Sequence, residues 1–373
     1  MALTRNGKKL RVVTSGMFLI LTIVVVLLFT LACAQTAPPP ATPPSPGPTP
    51  TPGTPTPAAG PEFHWRFQCA YSEADVDYQV TTKGIATLIE KMSDGQIEVD
   101  TYPVGALVAP EEMFSAIRDG SIEIGMDMTG ILGEIVPTDY CTALPGSADN
   151  LEEYYDLIYR TGLLDIFRED FSENGIHLLC ITLGGPDALR ASFRLDSWDD
   201  IKGKKGWSNP LSAGPLTKLG AVCVEVPGYD MYTAMKLGNI EWHGWTLAEL
   251  ETLGWKEVTK SVVLDPILKI ASNNIYVSSK AWQALGPELQ EKLDWAVIHG
   301  LIDWGLEYRD WNYKAIAASK EYGVEFINMS AANKAKYIEL CVEEWDVLAT
   351  KSPRNAQCVE LTKEWLRKIG RID

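Results

Sequence analysis

Residues 96–128 read QIEVDTYPVGALVAPEEMFSAIRDGSIEIGMDM. IEVDTY alternates apolar and polar side chains, which is the period of a half-buried strand. Pro110 then opens a short helical stretch, PEEMFSAIRD, and Gly120 closes it, so a helix is expected between two turns. SIEIGMDM returns to strand character. Upstream, residues 63–71 (FHWRFQCAY) alternate in the same way. Residues 75–94 carry helical spacing through Val80, Ile85, Leu88, Ile89 and Met92 and stop at Asp94-Gly95. The order is therefore βαβαβ, which predicts a parallel sheet with right-handed crossovers. Ligands bind such sheets beyond the carboxyl ends of the strands. That rule nominates Tyr71 and Ser72 after the first strand, and Asp127 and Thr129 after the third. Asp127 needs a hydroxyl, an arginine or a ligand cation as partner if the strand is buried. Asp75 reads equally as a ligand contact or as a helix cap.

A second round of strands and helices follows. GIHLLCITL, the strand within GKKGWSN, a helix over 211–219, AVCVEVP, a helix in GYDMYTAMKLG and NIEWHGW together predict a second α/β unit over residues 184–272. The first unit spans 62–183 and is completed by parts of 273–373. Residues 269–279, KIASNNIYVSS, read as one long strand returning to the first unit. Helices dominate residues 280–373, with 288–322 a single long helix. The fold class expected is α/β: a two-lobed, periplasmic-binding-protein-like clamshell with hinge strands, braced by that long helix.

The chain has 373 residues, with 33 basic against 49 acidic side chains and a net charge of −16. Such a balance repels phosphate backbones and excludes a nucleic-acid partner. Arg5, Lys8, Lys9 and Arg11 precede a charge-free apolar run over residues 17–32, the pattern of a signal segment. TLAC, ending in Cys33, resembles a bacterial lipoprotein signal in which the cysteine is acylated; an uncleaved anchor helix is the alternative. Residues 34–61 form a Pro/Thr-rich tether, extended and able to reach about 70–80 Å. Export and attachment to the membrane through Cys33 are expected, at the periplasmic face or cell surface.

Of the cysteines beyond Cys33, Cys180 and Cys223 lie in apolar runs and read as buried thiols. Cys341 and Cys358 flank a helical hairpin and are the pair an oxidising compartment would allow to bridge. No G-x-S-x-G, H-E-x-x-H, phosphate-binding or dinucleotide-binding motif stands in strand–helix context, and the four histidines are scattered. The sequence therefore predicts a binding protein and not an enzyme.

Five collinear segments carry a resemblance. They are VDTYPVGALVAPEEMFSAIRDGSIEIG, WDDIKGKK, GYDMYTAMKLGNIEWHGW, SSKAWQALGPELQEKLDWAV and YGVEFINMS. In this order they resemble the solute-binding subunit of TRAP (tripartite ATP-independent periplasmic) transporters, the family typified by dicarboxylate-binding proteins. The resemblance implies hinge closure around one small molecule, which is then delivered to small and large membrane permease subunits.

It also implies site positions. Relatives place a carboxylate-clamping arginine directly after the WDDIKGKK block; here that position is Trp207, with Asn209 two residues on. A second polar anchor falls near Pro186–Asp187, from which Arg190 could reach inward. A third falls at Glu241, Trp242, His243 and Trp245, where some 2-oxoacid binders carry a Glu-Trp pair and a metal ion bridging protein and substrate. The resemblance thus admits a ligand-bridging metal and no other cofactor. With no arginine at the clamp position, the expected ligand is an organic acid, aromatic acids included. A neutral or cationic ligand, or a sensor of the same fold coupled to a kinase, is the alternative.

Overall fold

The computed structural model describes residues 60–372; the expected leader, Cys33 and nearly all of the tether lie outside the described residues. β1 (Phe63–Cys69), β2 (Ile97–Tyr102) and β3 (Ile124–Met128) run parallel in the order β2-β1-β3, as the βαβαβ pattern predicts. The helix between β1 and β2 is not α-helical throughout. Its first turn, Asp77–Thr82, winds as a π-helix, and Thr82 Oγ1 donates back to Asp77 O at 3.2 Å; Lys83–Met92 is α-helical. Asp75 does not cap it, because its carboxylate accepts from Ser72 N at 2.8 Å and ties down the loop after β1.

β4 (Ile176–Ile181) completes one edge of the first sheet, and the chain then leaves it. β5 (Pro186–Ala191), β6 (Lys205–Trp207), β7 (Val222–Cys223), β8 (Trp242–Thr246), β9 (Ser261–Asp265) and β10 (Lys269–Ile270) build the second sheet. β11 (Asn273–Ser278) returns to the first, antiparallel to both β3 and β4. The single strand expected over 269–279 is thus two strands in different sheets, broken at Ala271–Ser272, where the chain crosses between them. AVCVEVP contributes only the two residues of β7. β12 (Glu325–Asn328) adds to the second sheet beside β9, giving the path β12-β9-β5-β8-β6-β7.

The two crossings are bonded to each other. Thr182 N donates to Asn273 O at 2.8 Å, Asn273 N donates to Thr182 Oγ1 at 2.9 Å, and Ala271 N donates to Gly185 O at 2.9 Å. This approach has no room for side chains: a Cβ on Gly184 would stand 2.1 Å from Ala271 O, and one on Gly185 2.6 Å from Asn312 Nδ2. Hinge closure of two-lobed proteins is absorbed by a few such junction residues.

The long helix, Gly286–Tyr322, covers 37 residues and about 55 Å. Pro287 sits in its first turn, and Gly323, at φ 104°, ends it in the left-handed region. Leu289, Leu293, Val297, Leu301 and Trp304 are buried in the core beneath the first sheet. Ala315 joins Ala188, Leu247, Leu250 and Val262 beneath the second. One rigid rod therefore packs on both sheets. No helix among the described residues is long and apolar enough to cross a membrane.

The expected Cys341–Cys358 bridge is absent: the six cysteines of the described residues are all free. Cys341 packs toward Gly146, while Cys358 lies beside Cys141 and pushes that thiol well above its ordinary value. Two helices presenting cysteines to different neighbours cannot bridge them without a shift of backbone.

Substituting Gly184→Ala is expected to cost on the order of 1–3 kcal/mol, because backbone and not a flexible side chain occupies the space. Thermal unfolding checks this, with Gly60→Ala, which has nothing within 4 Å of its added Cβ, as the neutral control.

Candidate functional site

Between the sheets lies a small cavity of about 30 Å³. The first sheet and its loops supply Tyr71, Asp77 and Met128; the second supplies Asp187, Trp207, Asn209, Trp245 and Lys269. The crossing segment supplies Ser272 and Asn273, and the long helix supplies Tyr308. Every structural unit of the protein therefore contributes, as a site completed only on closure requires.

Four of the expected residues meet here: Tyr71, Trp207, Asn209 and Trp245. The Trp207 and Trp245 rings lie 5.3 Å apart, tilted by 37°, and Trp255 meets Trp245 edge-on at 5.5 Å. Asn209 caps the helix Pro210–Lys218, its Oδ1 accepting from Leu211 N at 3.0 Å, which turns the side chain along the cavity wall. Tyr71 OH donates to Asn273 Oδ1 at 2.6 Å.

The other expected residues lie off the cavity, each for an identifiable reason. Ser72 is held by Asp75 on the exposed side of its loop. Asp127 finds its partner in the hydroxyl of Tyr276 from β11, and Thr129 bonds Ser272 at 3.1 Å, so both serve the strand junction. Trp242 is fully buried, with its indole N–H on Lys204 O at 3.0 Å. Glu241 pairs with Lys204 at 2.6 Å. The carboxylate that the resemblance offers to a bridging metal therefore does not face the cavity, and the residues present do not fit that arrangement. Lys202 pairs with Asp199 at 2.6 Å, so Lys202 and Lys204 belong to a solvated turn.

Arg190 is the main correction. It is completely buried, and its Nη2 donates to Trp245 O at 2.7 Å and to Thr246 O. Its guanidinium lies over the Trp255 ring at 5.2 Å. Arg190 thus holds the strand that carries Trp245 and does not itself reach a ligand. His243 pairs opposite it across β5 and β8, with its ring edge-on to Trp255 at 4.6 Å. Burial, and then the Arg190 charge, hold its pKa well below the usual value, so the ring is neutral.

The cation that does face the cavity is Lys269. It is 4% exposed, and among the described residues its ammonium makes no hydrogen bond and no ion pair. Burial lowers its pKa, and the charges of Asp187 and Asp139 partly restore it. Asp187, also buried, keeps Oδ1 without a partner. A lone lysine in the apolar run PILKIA was the available signal for this residue, since buried lysines are rare unless something pairs with them.

Beneath the cavity two carboxyl groups share one hydroxyl. Tyr308 OH stands 3.2 Å from Asp77 Oδ2 and 3.3 Å from Glu249 Oε1; Asn273 Nδ2 donates to Asp77 Oδ1 at 2.7 Å, and Thr246 Oγ1 donates to Glu249. A single hydroxyl proton cannot serve both acids at once. Burial pushes Asp77 up to about 7, and burial together with the Asp77 charge pushes Glu249 up to about 8. Asp77 lies on the buried face of its helix, three residues before Val80, and that periodicity was its only mark in the sequence.

The chain matches the family model described as bacterial extracellular solute-binding protein, family 7, over residues 68–352. A monocarboxylate 2-oxoacid-binding periplasmic protein of Nostoc sp. is 20% identical over 314 residues, covering 82% of this chain and 84% of its own. A TRAP periplasmic solute-binding protein from Desulfovibrio salexigens with bound orotic acid superposes with a TM-score of 0.73 at 17% identity, over 82% of this chain and 99% of that one. Another, from Chromohalobacter salexigens with bound (S)-(+)-2-amino-1-propanol, gives 0.73 at 21% identity, over 83% and 98%. At these identities the solved structures bear on the fold alone, and they share its two-lobed α/β architecture.

The raised carboxyl pKa values fix a pH dependence. The folded state binds more protons than the unfolded chain between the ordinary carboxylate range and about pH 8, so stability falls as pH rises through that window. Asp77→Asn keeps an acceptor for Asn273 and removes one titrating acid. It is expected to flatten the decline in melting temperature between pH 5 and pH 8, at about 2–4 °C for each kcal/mol recovered. An unchanged slope would remove Asp77 from this role.

Proposed function

The chain belongs to family 7 of the bacterial extracellular solute-binding proteins, and from that premise we propose that it is the receptor subunit of a TRAP transporter for a small organic monocarboxylate. The family is one of solute-binding proteins and not of enzymes. In this reading the ligand carboxylate sits on Lys269, its apolar or aromatic body lies against Trp207 and Trp245, and the two lobes close over it. The liganded protein then docks on the membrane permease subunits. Acylation at Cys33 and the tether hold it at the outer face of the membrane.

The observation that carries this reading is the single ammonium in the cavity, on a buried lysine that makes no hydrogen bond or ion pair among the described residues. Asp187 stands opposite Lys269 across β5 and β10 and offsets its charge only in part, so a ligand carboxylate within hydrogen-bond reach is the natural further partner. One ammonium answers one carboxylate. Among the described cavity residues Lys269 is the only cation, and Trp207 stands where the resemblance places a clamping arginine. A dicarboxylate would leave its second charge facing Asp187 or Asp77. The Nostoc relative's name, a monocarboxylate binder, agrees with this choice. Two neighbouring indoles supply an apolar wall suited to a planar or short aliphatic body.

A second reading rests on Asp187, whose unpartnered Oδ1 and adjacent indoles also suit an ammonium ligand. Calorimetry against a panel of monocarboxylates, dicarboxylates, amines and polyols separates the two. Lys269→Met is expected to weaken the best monocarboxylate by about 30-fold or more, which is about 2 kcal/mol. Trp207→Ala should abolish the ligand-induced change in tryptophan fluorescence while leaving the fold intact. Tight binding of amines that is lost in Asp187→Asn and unaffected by Lys269→Met would establish the second reading instead.

A further inference from the structure

The described residues hold six cysteines, and the ligand cavity uses none of them. Four have neighbours other than a second thiol. Cys69 Sγ donates to Tyr71 O at 3.4 Å, and Cys223 Sγ donates to Ala213 O at 3.6 Å. Cys341 lies beside Tyr337 and Gly146, and Cys180 is buried in β4. The remaining two face each other. Cys141 ends the short helix Pro137–Cys141 and is buried there; its side-chain partner is the thiol of Cys358, fully buried in the helix Pro353–Lys368.

A carboxylate holds these two helices together independently of the sulfurs. Asp170 Oδ2 accepts from Thr138 N at 2.9 Å, three residues before Cys141. Its Oδ1 accepts from Arg354 Nη1 at 3.3 Å, four residues before Cys358. One buried side chain therefore spans both helices about one turn from each cysteine. Arg354 is anchored again on Glu173, at 2.7 and 2.6 Å. Asp139 fixes the short helix to the first sheet, accepting from Leu132 N at 2.7 Å and from Asn274 Nδ2 at 2.6 Å. The thiols thus meet between two elements whose positions are set by other bonds, which is what bridging without backbone movement requires.

The family is extracellular, and compartments outside the cytoplasm favour disulfides. From this we infer that Cys141 and Cys358, thiols in this structure, are a disulfide site oxidised in the exported protein. The oxidant is a disulfide-bearing thiol oxidoreductase or a small-molecule disulfide. One cysteine thiolate attacks it to give a mixed disulfide, which the second thiolate then displaces. The Cys141 Sγ–Cys358 Sγ bond forms and the oxidant's S–S bond breaks. The oxidant leaves as two thiols, carrying the two electrons and the two thiol protons. In the folded chain the neighbouring Cys358 thiol, and then burial, hold the Cys141 pKa well above its ordinary value. The thiolate is scarce there, so the exchange belongs to folding, before the last helix closes over Cys141. Once made, the bond ties the C-terminal helix to the segment after β3 and restricts the unfolded chain across a long loop.

The test uses the full chain exported to an oxidising periplasm. Free thiols are blocked under denaturing conditions with one alkylating reagent, and after reduction a second reagent of different mass marks the cysteines released. Peptide mass spectrometry is expected to find the second mark on Cys141 and Cys358 and the first on Cys69, Cys180, Cys223 and Cys341. Before reduction, one peptide should join 141 to 358. A strong reductant is expected to lower the thermal midpoint by about 4–10 °C. Cys141→Ala and Cys358→Ala should each abolish that shift, whereas Cys341→Ala should keep it. The inference is overturned if Cys141 and Cys358 both carry the first mark, if Cys358 is joined to Cys341 instead, or if the reductant shift survives in Cys141→Ala. Peptide mapping of the unsubstituted protein decides the matter even where a variant fails to fold.

Discussion

Two backbone crossings, residues 182–185 and 271–273, pass between the sheets in contact, and the rest of the molecule is arranged around that contact. Glycines 184 and 185 permit it, since any side chain there would collide with Ala271, Tyr308 or Asn312. Because the crossings are bonded to one another, β10 and β11 enter opposite sheets from a common point. Lys269, on the short strand β10 before the crossing, and Asn273, just after it, are thereby brought to the same cavity. Tyr308 closes the floor from the long helix, which packs on both sheets at once. A junction of this kind confines relative motion to a few residues and keeps each lobe's wall intact.

The cavity so formed is electrostatically unfinished. Most buried polar groups of the site have partners: Tyr71 with Asn273, Asp77 with Asn273 and Tyr308, Glu249 with Thr246. One oxygen of Asp187 does not, nor do Ser208 Oγ, two nitrogens of Arg190 and the ring nitrogens of His243 behind the wall; Lys269, on the cavity itself, makes no hydrogen bond or ion pair among the described residues. In a protein interior such vacancies are expensive, and those of Lys269 and Asp187 stand on the cavity wall, which is why the proposed ligand carboxylate is placed there. The acids beneath show the complementary solution, in which burial is met by retaining protons near neutrality. Arg190 shows a third: a buried guanidinium satisfied in part by two backbone carbonyls and an indole face, stiffening the strand that carries Trp245.

Much of the fold was legible in periodicity. Alternation in residues 63–71 and 97–102, helical spacing in 75–94 and glycine stops at 95 and 120 located the parallel part of the first sheet, and residues 288–322 read as the long helix. Misreadings fell where local pattern and chain path diverge. KIASNNIYVSS alternates like one strand, yet the crossing at Ala271–Ser272 divides it between two sheets. For the site, strand-end logic found Tyr71, and family position found Trp207, Asn209 and Trp245. The same reasoning overreached at Arg190, Asp127 and Glu241, whose charges are answered inside the protein or at its surface by Trp245 and Thr246 carbonyls, Tyr276 and Lys204.

Composition, periodicity and turn residues by themselves determined an acidic, two-unit α/β protein with a long bracing helix, and collinear motifs determined its family. They did so because those properties are local: each depends on spacing within a dozen residues or on order along the chain. Only the tertiary structure decided which charges are free. Whether an arginine meets a ligand or a carbonyl depends on what stands opposite it after folding, from residues fifty or two hundred positions away. Hence Arg190, the conspicuous cation, proved to be structural, and Lys269, a single polar letter in an apolar run, proved to be the one that faces the cavity.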